Sequence, residues 1–344
     1  MKALVNTAPY VLELQDWPVP AYGPQDLLVR VRACGICGSD VKGYSGKTGR
    51  RQPPIIMGHE AAGVIEAVGD EASGFGVGDR VAFDSTVYCN RCQYCLSGHV
   101  NLCENRQVLG VSEGTYRRHG AMAEYVVVPH WIAVHLPDNM TFEQAALIET
   151  VSIGVHAANR TPVTLNDTAV IVGAGGVGLV ALQAIRLKGA GKVIVTDLSA
   201  PRLAMARDLG ADVTIPADTP DLLAALRAET GPEGANVVLE AVGIQPTINT
   251  ALAITRSAGA LTLIGNVTPR VEFDLQAIVS REITLYGVCA SNGEYADCVD
   301  LVASGRIRVD PLISGTARLE DGQEVFDRLY AGAEENIRTL FVFD

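Results

Sequence analysis

Long apolar runs are missing from this sequence. The longest, Ala169 to Ile185, is broken by glycines and Gln183 and is short for a membrane span, so no bilayer crossing is expected. Basic charge is also scarce: 27 Lys and Arg stand against 39 Asp and Glu, a net charge of −12. That balance argues against a nucleic-acid surface and gives no reason to seek an anionic membrane. Met1-Lys2-Ala3-Leu4-Val5 passes straight into Asn6 and Thr7, without a leader-like apolar stretch, which makes the cytoplasm the expected compartment. Hydrophobic residues are 48 % and charged residues 19 %, a globular composition. A chain of 344 residues is expected to form two domains.

Cysteine, by contrast, is concentrated. Cys89, Cys92, Cys95 and Cys103 follow the spacing C-x2-C-x2-C-x7-C. Four thiolates on one short loop can converge on a single centre, and four sulfurs around a small cation form the closed tetrahedral arrangement of a structural zinc site. An iron–sulfur run starts with the same two gaps but closes with three residues and a proline, whereas here the gap is seven and Glu104 follows. A disulfide framework needs an oxidising compartment, which nothing in the sequence suggests.

A second set of ligand types is more dispersed. The first 150 residues are rich in short Val/Ile runs separated by Gly and Pro, such as Leu27 to Val31 and Ala61 to Val68, and read as mainly β. Within them lie Cys37-Gly38-Ser39-Asp40 and Gly58-His59-Glu60. A thiolate, an imidazole and a carboxylate suit zinc with one position open to water or substrate. Asp40 is placed to accept the free imidazole N–H of His59. Cys34 reads as a small buried hydrophobe.

The middle of the chain carries a different signal. The apolar run Thr168 to Val172 leads into Gly173-Ala174-Gly175-Gly176-Val177-Gly178, and Leu179 to Lys188 reads as a helix. Strand, G-x-G-x-x-G and helix in this order bring backbone amides and a helix N-terminus to a pyrophosphate. The cofactor-binding candidates are therefore Gly173, Gly175, Gly176, Val177 and Gly178. A second strand, Lys192 to Thr196, ends in Asp197, nineteen residues past Gly178; a carboxylate there binds ribose hydroxyls and repels a 2′-phosphate, favouring NAD over NADP. Arg202 is a candidate for the adenine side, with an exposed helix arginine as the plain alternative. Strand–helix alternation continues to Gly287 and predicts a parallel, doubly wound α/β sheet.

These motifs together resemble the medium-chain family of zinc-containing alcohol dehydrogenases, whose signature is similar to Gly58-His59-Glu60-x2-Gly63-x5-Gly69; the order of motifs matches over essentially the whole chain. The resemblance implies a chaperonin-10-like β catalytic domain (1–151 with 288–344, including a structural-zinc lobe at 89–103) and a Rossmann coenzyme domain (152–287). It implies two zinc ions per subunit and a catalytic zinc surrounded by Cys37, His59 and Glu60. The stretch Ala146 to His156 looks like that of polyol (sorbitol-type) dehydrogenases, in which the equivalent of Glu149 binds zinc directly or through its water. Thr150 departs from the proline usual there, and His156 reads as a helix histidine rather than a ligand. A homo-oligomer, a tetramer before a dimer, is also implied.

The reaction expected is oxidation of a secondary alcohol of a polyol, a sugar alcohol or its phosphate, to the ketose. Ser39, beside Cys37, is the first candidate to carry the proton away; the family often continues through a histidine three positions on, where this chain has Lys42, a candidate to shuttle the proton, to contact the nicotinamide ribose or simply to be solvated. Tyr44 is a candidate pocket residue, and Arg117-Arg118-His119 reads either as a sugar-phosphate contact or as an exposed loop. Vicinal diols and L-threonine are the rival substrates. A non-catalytic nucleotide-binding protein would show a damaged Cys37-His59-Glu60 set, and a zinc-free quinone reductase would lack the cysteine lobe.

Overall fold

The computed structural model describes residues 1–332 and 336–344. The chain divides into two compact units, Met1–Glu149 with Asn292–Asp344, and Thr150–Ser291.

The first unit is built on β-structure, as its short Val/Ile runs dictate. A seven-stranded sheet has the order Ala133–His135, Arg80–Phe83, Glu60–Val68, Asp26–Ile36, Arg338–Val342, Ile313–Ala317, with Tyr125–Pro129 also pairing with Asp26–Ile36. The long strand Asp26–Ile36 is buried along most of its length and forms the backbone of the core, with Leu27, Val29, Val31, Ile65, Phe83 and Phe341 packed together. Two of its pairings matter for the site. Gly35 lies opposite Glu60, and Ile36 lies opposite Thr339, both in antiparallel register. The strand ends of residues far apart in sequence therefore meet at one end of the sheet.

The second unit holds a six-stranded sheet in the order Val213–Pro216, Lys192–Asp197, Thr168–Val172, Ala235–Glu240, Thr255–Leu263, Thr284–Gly287. All five pairings are parallel. Both faces of the central strands are buried, which is why Ala169 to Val172 reads as a continuous apolar run rather than an alternating one. The order is that of a doubly wound dinucleotide fold, with its switch point between Thr168–Val172 and Ala235–Glu240. Among the described residues, no helix is long and apolar enough to cross a membrane.

The turn after Thr168–Val172 needs its glycines for different reasons. Gly173 has φ +103°, a left-handed value that costs other residues. A Cβ on Gly178 would run into the Gly173 carbonyl oxygen, so the helix Gly176–Leu187 comes close to the strand only with glycine there. Gly178→Ala is expected to destabilise this unit by about 1–3 kcal/mol, the range for overpacking. Thermal unfolding with and without dinucleotide checks this, and an unchanged midpoint would discard the close-approach explanation.

Candidate functional site

The sheet register described above brings three sequence segments together. Cys37 follows the end of Asp26–Ile36, His59 immediately precedes the strand Glu60–Val68 that Glu60 opens, and Arg338 opens Arg338–Val342. Donor atoms of Cys37, His59 and Glu60 all lie within 4.8 Å of one another. Gly35 is required beside them: a Cβ there would collide with the Glu60 carboxylate.

Cys37 is the N-cap of the short helix Gly38–Tyr44, and Asp40 reaches back to its N–H at 3.2 Å. The same carboxylate stands 3.4 Å from His59 Nδ1 through Oδ2, while Oδ1 accepts from Arg51 at 2.9 Å (Nη2) and 3.3 Å (Nε). Asp40 is fully buried and Arg51 is 3 % exposed. Burial works against the Asp40 charge, but His59 and Arg51 outweigh it and hold the carboxyl below its usual range. Burial likewise opposes charge on His59, yet Asp40 and Cys37 raise its pKa well above the ordinary imidazole value. With Nδ1 facing Asp40, Nε2 is the ring nitrogen left to act as a ligand. Glu60 is fully buried, and its Oε2 meets Arg338 Nε at 2.9 Å.

Glu149, in the first turn of the helix Ile148–Arg160, is not a member of the 4.8 Å set but is within electrostatic reach of it. Burial, opposed by His59 and reinforced by Glu60, pushes its pKa up to about 7. Ser85 Oγ donates to Glu149 Oε1 at 3.4 Å. Ser39 is exposed and its Oγ accepts from Arg51 Nη2 at 3.3 Å, while Lys42 is exposed on the same helix.

The four-cysteine loop forms a second cluster, again with all donors within 4.8 Å. Cys92 and Cys95 sulfurs are 3.6 Å apart. A tetrahedral zinc with Zn–S bonds of about 2.3 Å sets sulfurs about 3.8 Å apart, so the loop fits the ion. The N–H groups of Cys89 and Asn105 point at Cys103 Sγ at 3.3 and 3.4 Å, the donors a thiolate needs. Burial resists ionisation of Cys89, but the Arg91 N–H and neighbouring donors bring its thiol down to about 6. Burial and the protons shared with Cys92 and Cys103 push Cys95 up to about 12. Adjacent thiols cannot all ionise without a cation among them, and a dication supplies that charge.

The cofactor candidates also lie together. Gly173 to Gly178 form the turn and first helical turn after Thr168–Val172, and Asp197 closes the neighbouring strand. Asp197 accepts from the N–H of Ala174 at 2.6 Å and of Ser199 at 2.9 Å, so it braces the glycine turn. Arg202 is half-buried on the helix Ala200–Asp208.

One expectation requires correction. Tyr44 is fully buried; its hydroxyl is taken up by the Tyr10 carbonyl at 2.6 Å and Asp327 at 2.7 Å, and its ring packs on Tyr10, Phe326 and Tyr330. It therefore serves the core rather than a substrate. Of the two readings of the basic cluster, its contacts agree with the one without a ligand. Arg117 donates to the Pro54 carbonyl, Arg118 to Gln107 and the Val127 carbonyl, and His119 accepts the Ile56 N–H while stacking edge-on against Trp17. Conversely, Arg51, Arg338 and Ser85 were not marked by any motif, since only tertiary contact gives them a role.

Residues 23–138 match the family described as alcohol dehydrogenase GroES-like domain, and residues 176–304 match the zinc-binding dehydrogenase family. The chain is 36 % identical to L-idonate 5-dehydrogenase of Vitis vinifera, over 96 % of this chain and 91 % of that protein. It is 35 % identical to sorbitol dehydrogenase of Bacillus subtilis, over 99 % and 96 %. The crystal structure of galactitol-1-phosphate dehydrogenase from Escherichia coli superposes with a TM-score of 0.90 at 26 % identity, covering 100 % of both chains.

Two outcomes are expected from this geometry. Cys103→Ser leaves an incomplete donor set and lowers the thermal midpoint, and a strong chelator has little further effect on the lobe of that variant; equal chelator sensitivity in parent and variant would exclude the four-sulfur site. For Glu149 the folded pKa lies above the unfolded one, so the metal-free protein loses stability as pH rises from about 4.5 to about 7. Metal-free Glu149→Gln is therefore expected to melt above its metal-free parent at pH 8 and to converge with it below about pH 5. Parallel melting curves at every pH would refute the buried-carboxyl account.

Proposed function

The chain belongs to the zinc-containing alcohol dehydrogenase family, and from that premise we propose that it oxidises a secondary alcohol of a polyol to the ketose, with NAD as hydride acceptor. The observation that carries the substrate class is the buried Glu149 carboxylate beside His59 and Glu60, in a chain whose relatives include enzymes named for sorbitol and L-idonate. A sugar alcohol or its phosphate is the substrate class.

In this reading Cys37, His59, Glu60 and Glu149 hold the catalytic zinc, and Cys89, Cys92, Cys95 and Cys103 hold a structural one. Bound zinc supplies Lewis acidity, lowering the pKa of the substrate hydroxyl. Asp40 keeps His59 in the tautomer that leaves Nε2 for the metal. Ser39 takes the proton and, being exposed, passes it to water; Lys42 lies three residues on along the same helix face and is solvated, so no second relay group is needed. The turn Gly173–Gly178 receives the pyrophosphate through its N–H groups and the helix N-terminus. Asp197, fixed by two backbone N–H bonds, accepts the ribose hydroxyls and repels a 2′-phosphate. Arg202 flanks the adenine side. The sheet leaves Thr284–Gly287 at its edge, with Leu275, Val279 and Leu285 exposed nearby, which supports a homo-oligomer.

The test is NADH formation, followed by its near-ultraviolet absorbance, on polyols, polyol phosphates, vicinal diols and L-threonine, with and without chelator. Chelator-sensitive turnover on a polyol or its phosphate is expected. Turnover confined to butanediol or threonine would overturn the polyol assignment while leaving the dehydrogenase. Glu149→Gln should lower kcat about 10- to 100-fold, the usual cost of disturbing a metal's carboxylate partner. Asp197→Ser should weaken NAD relative to NADP about tenfold, the worth of one charge-assisted hydrogen bond; an unchanged NAD/NADP ratio would remove Asp197 from the ribose.

A further inference from the structure

We propose that Arg51 is a positioning residue of the active site: a single guanidinium that fixes the Ser39 hydroxyl and, through Asp40, the His59 imidazole. The inference rests on the reading that Ser39 and His59 serve the reaction.

Arg51 comes from the segment between the helix Gly38–Tyr44 and the strand Ile55–Ile56, yet its side chain is turned inward and almost wholly buried. Room for it is built into the helix. A Cβ on Gly43 would collide with Arg51 Cγ and stand 3.2 Å from its Cβ, so glycine at 43 is what lets the arginine pass. Once inside, the guanidinium divides its donors. Nε and Nη2 go to Asp40 Oδ1 at 3.3 and 2.9 Å, and Nη2 also reaches Ser39 Oγ at 3.3 Å.

Each bond has a directional consequence. With Oδ1 held by Arg51, it is Oδ2 that faces the Cys37 N–H at 3.2 Å and His59 Nδ1 at 3.4 Å. Arg51 thereby selects which carboxylate oxygen meets the imidazole. A serine hydroxyl has one proton and two lone pairs, and Arg51 occupies a lone pair. The Ser39 O–H must then point away from the guanidinium, toward another acceptor, instead of rotating freely. Lysine cannot replace this arrangement, because a point-like ammonium does not offer planar donors to two acceptors at fixed angles.

The experiment compares Arg51→Lys, Arg51→Gln, Ser39→Ala and the double variant Ser39→Ala/Arg51→Gln by steady-state kinetics, thermal melting and zinc retention against a chromophoric chelator. Ser39→Ala and Arg51→Gln are each expected to lower kcat about 10- to 100-fold with little change in KM, the range for residues that orient metal ligands and catalytic groups. The double variant should be scarcely slower than the worse single one, since both changes break the same link. Arg51→Gln should also release zinc at about tenfold lower chelator concentration, whereas Ser39→Ala should not. Arg51→Lys should keep the parent's melting behaviour and share the loss of kcat, and it decides the matter if Arg51→Gln does not fold. Parent-like kcat in Arg51→Lys, or a double variant whose loss equals the product of the single losses, overturns the proposal while Ser39 keeps its role. Parent-like kcat in Ser39→Ala instead removes the role of Ser39, and the proposal falls with it.

Discussion

Buried charge is the constraint on which the Cys37–His59–Glu60 end of the first unit depends. Asp40, Glu60, Asp84 and Glu149 are all below the surface, and the guanidiniums of Arg51 and Arg338 are buried with them. Charges removed from water must be compensated by opposite charge and hydrogen bonds, or the group neutralises. The two arginines do this for Asp40 and Glu60 through contacts of 2.9 Å each. Carboxylates still outnumber guanidiniums, and the rise of Glu149 toward neutrality is the response of the metal-free site. A dication resolves the imbalance, so the same excess that costs stability without metal becomes affinity with it. Local features follow from this need, including the missing Cβ at Gly35 and Gly43, which admits the Glu60 and Arg51 side chains.

What could be read from the sequence is what is local in it. The four cysteines sit within fifteen residues, so their spacing alone restricts their geometry, and they converge in the structure. The glycine turn and Asp197 belong to consecutive strands of one sheet, and the parallel order that joins them follows from strand–helix alternation. Cys37 and His59 are farther apart, but each is flanked by a recognisable motif. Arg338 was beyond reach because it meets Glu60 only through the strand pairing of Ile36 with Thr339, a register that no neighbouring residue announces.

The misreading of Tyr44 has the same origin. Tyr44 is on the helix that carries Ser39 and Asp40, yet helical position alone did not reveal that its side faces Phe326 and Tyr330. The run Arg117-Arg118-His119 has the composition of an anion site. Arg118 donates to Gln107 and the Val127 carbonyl and His119 accepts the Ile56 N–H, while Arg117 gives one N–H to the Pro54 carbonyl and stays exposed. A guanidinium can satisfy several acceptors at once, as Arg118 does with the Gln107 side chain and the Val127 carbonyl.

The two donor clusters differ in a way that suits them to different roles in the proposed reading. Four thiolates around a dication leave a closed, electron-rich centre with no position for a substrate and little Lewis acidity to offer one. Its donors also come from a single loop with backbone N–H groups trained on the sulfurs, an arrangement that resists change. The other set has one thiolate, one imidazole and carboxylates whose negative charge is partly drawn off. Arg338 takes density from Glu60, and Arg51 takes it from the Asp40 that would otherwise make His59 a stronger donor. In that reading the guanidiniums lower the negative charge that would reach a metal, from Glu60 directly and from Asp40 only through His59, and a cation less neutralised by its ligands polarises a bound hydroxyl more strongly. In the proposed reading the buried arginines would therefore do more than offset desolvation: they would keep a zinc ion held by Cys37, His59 and Glu60 electrophilic enough to activate an alcohol.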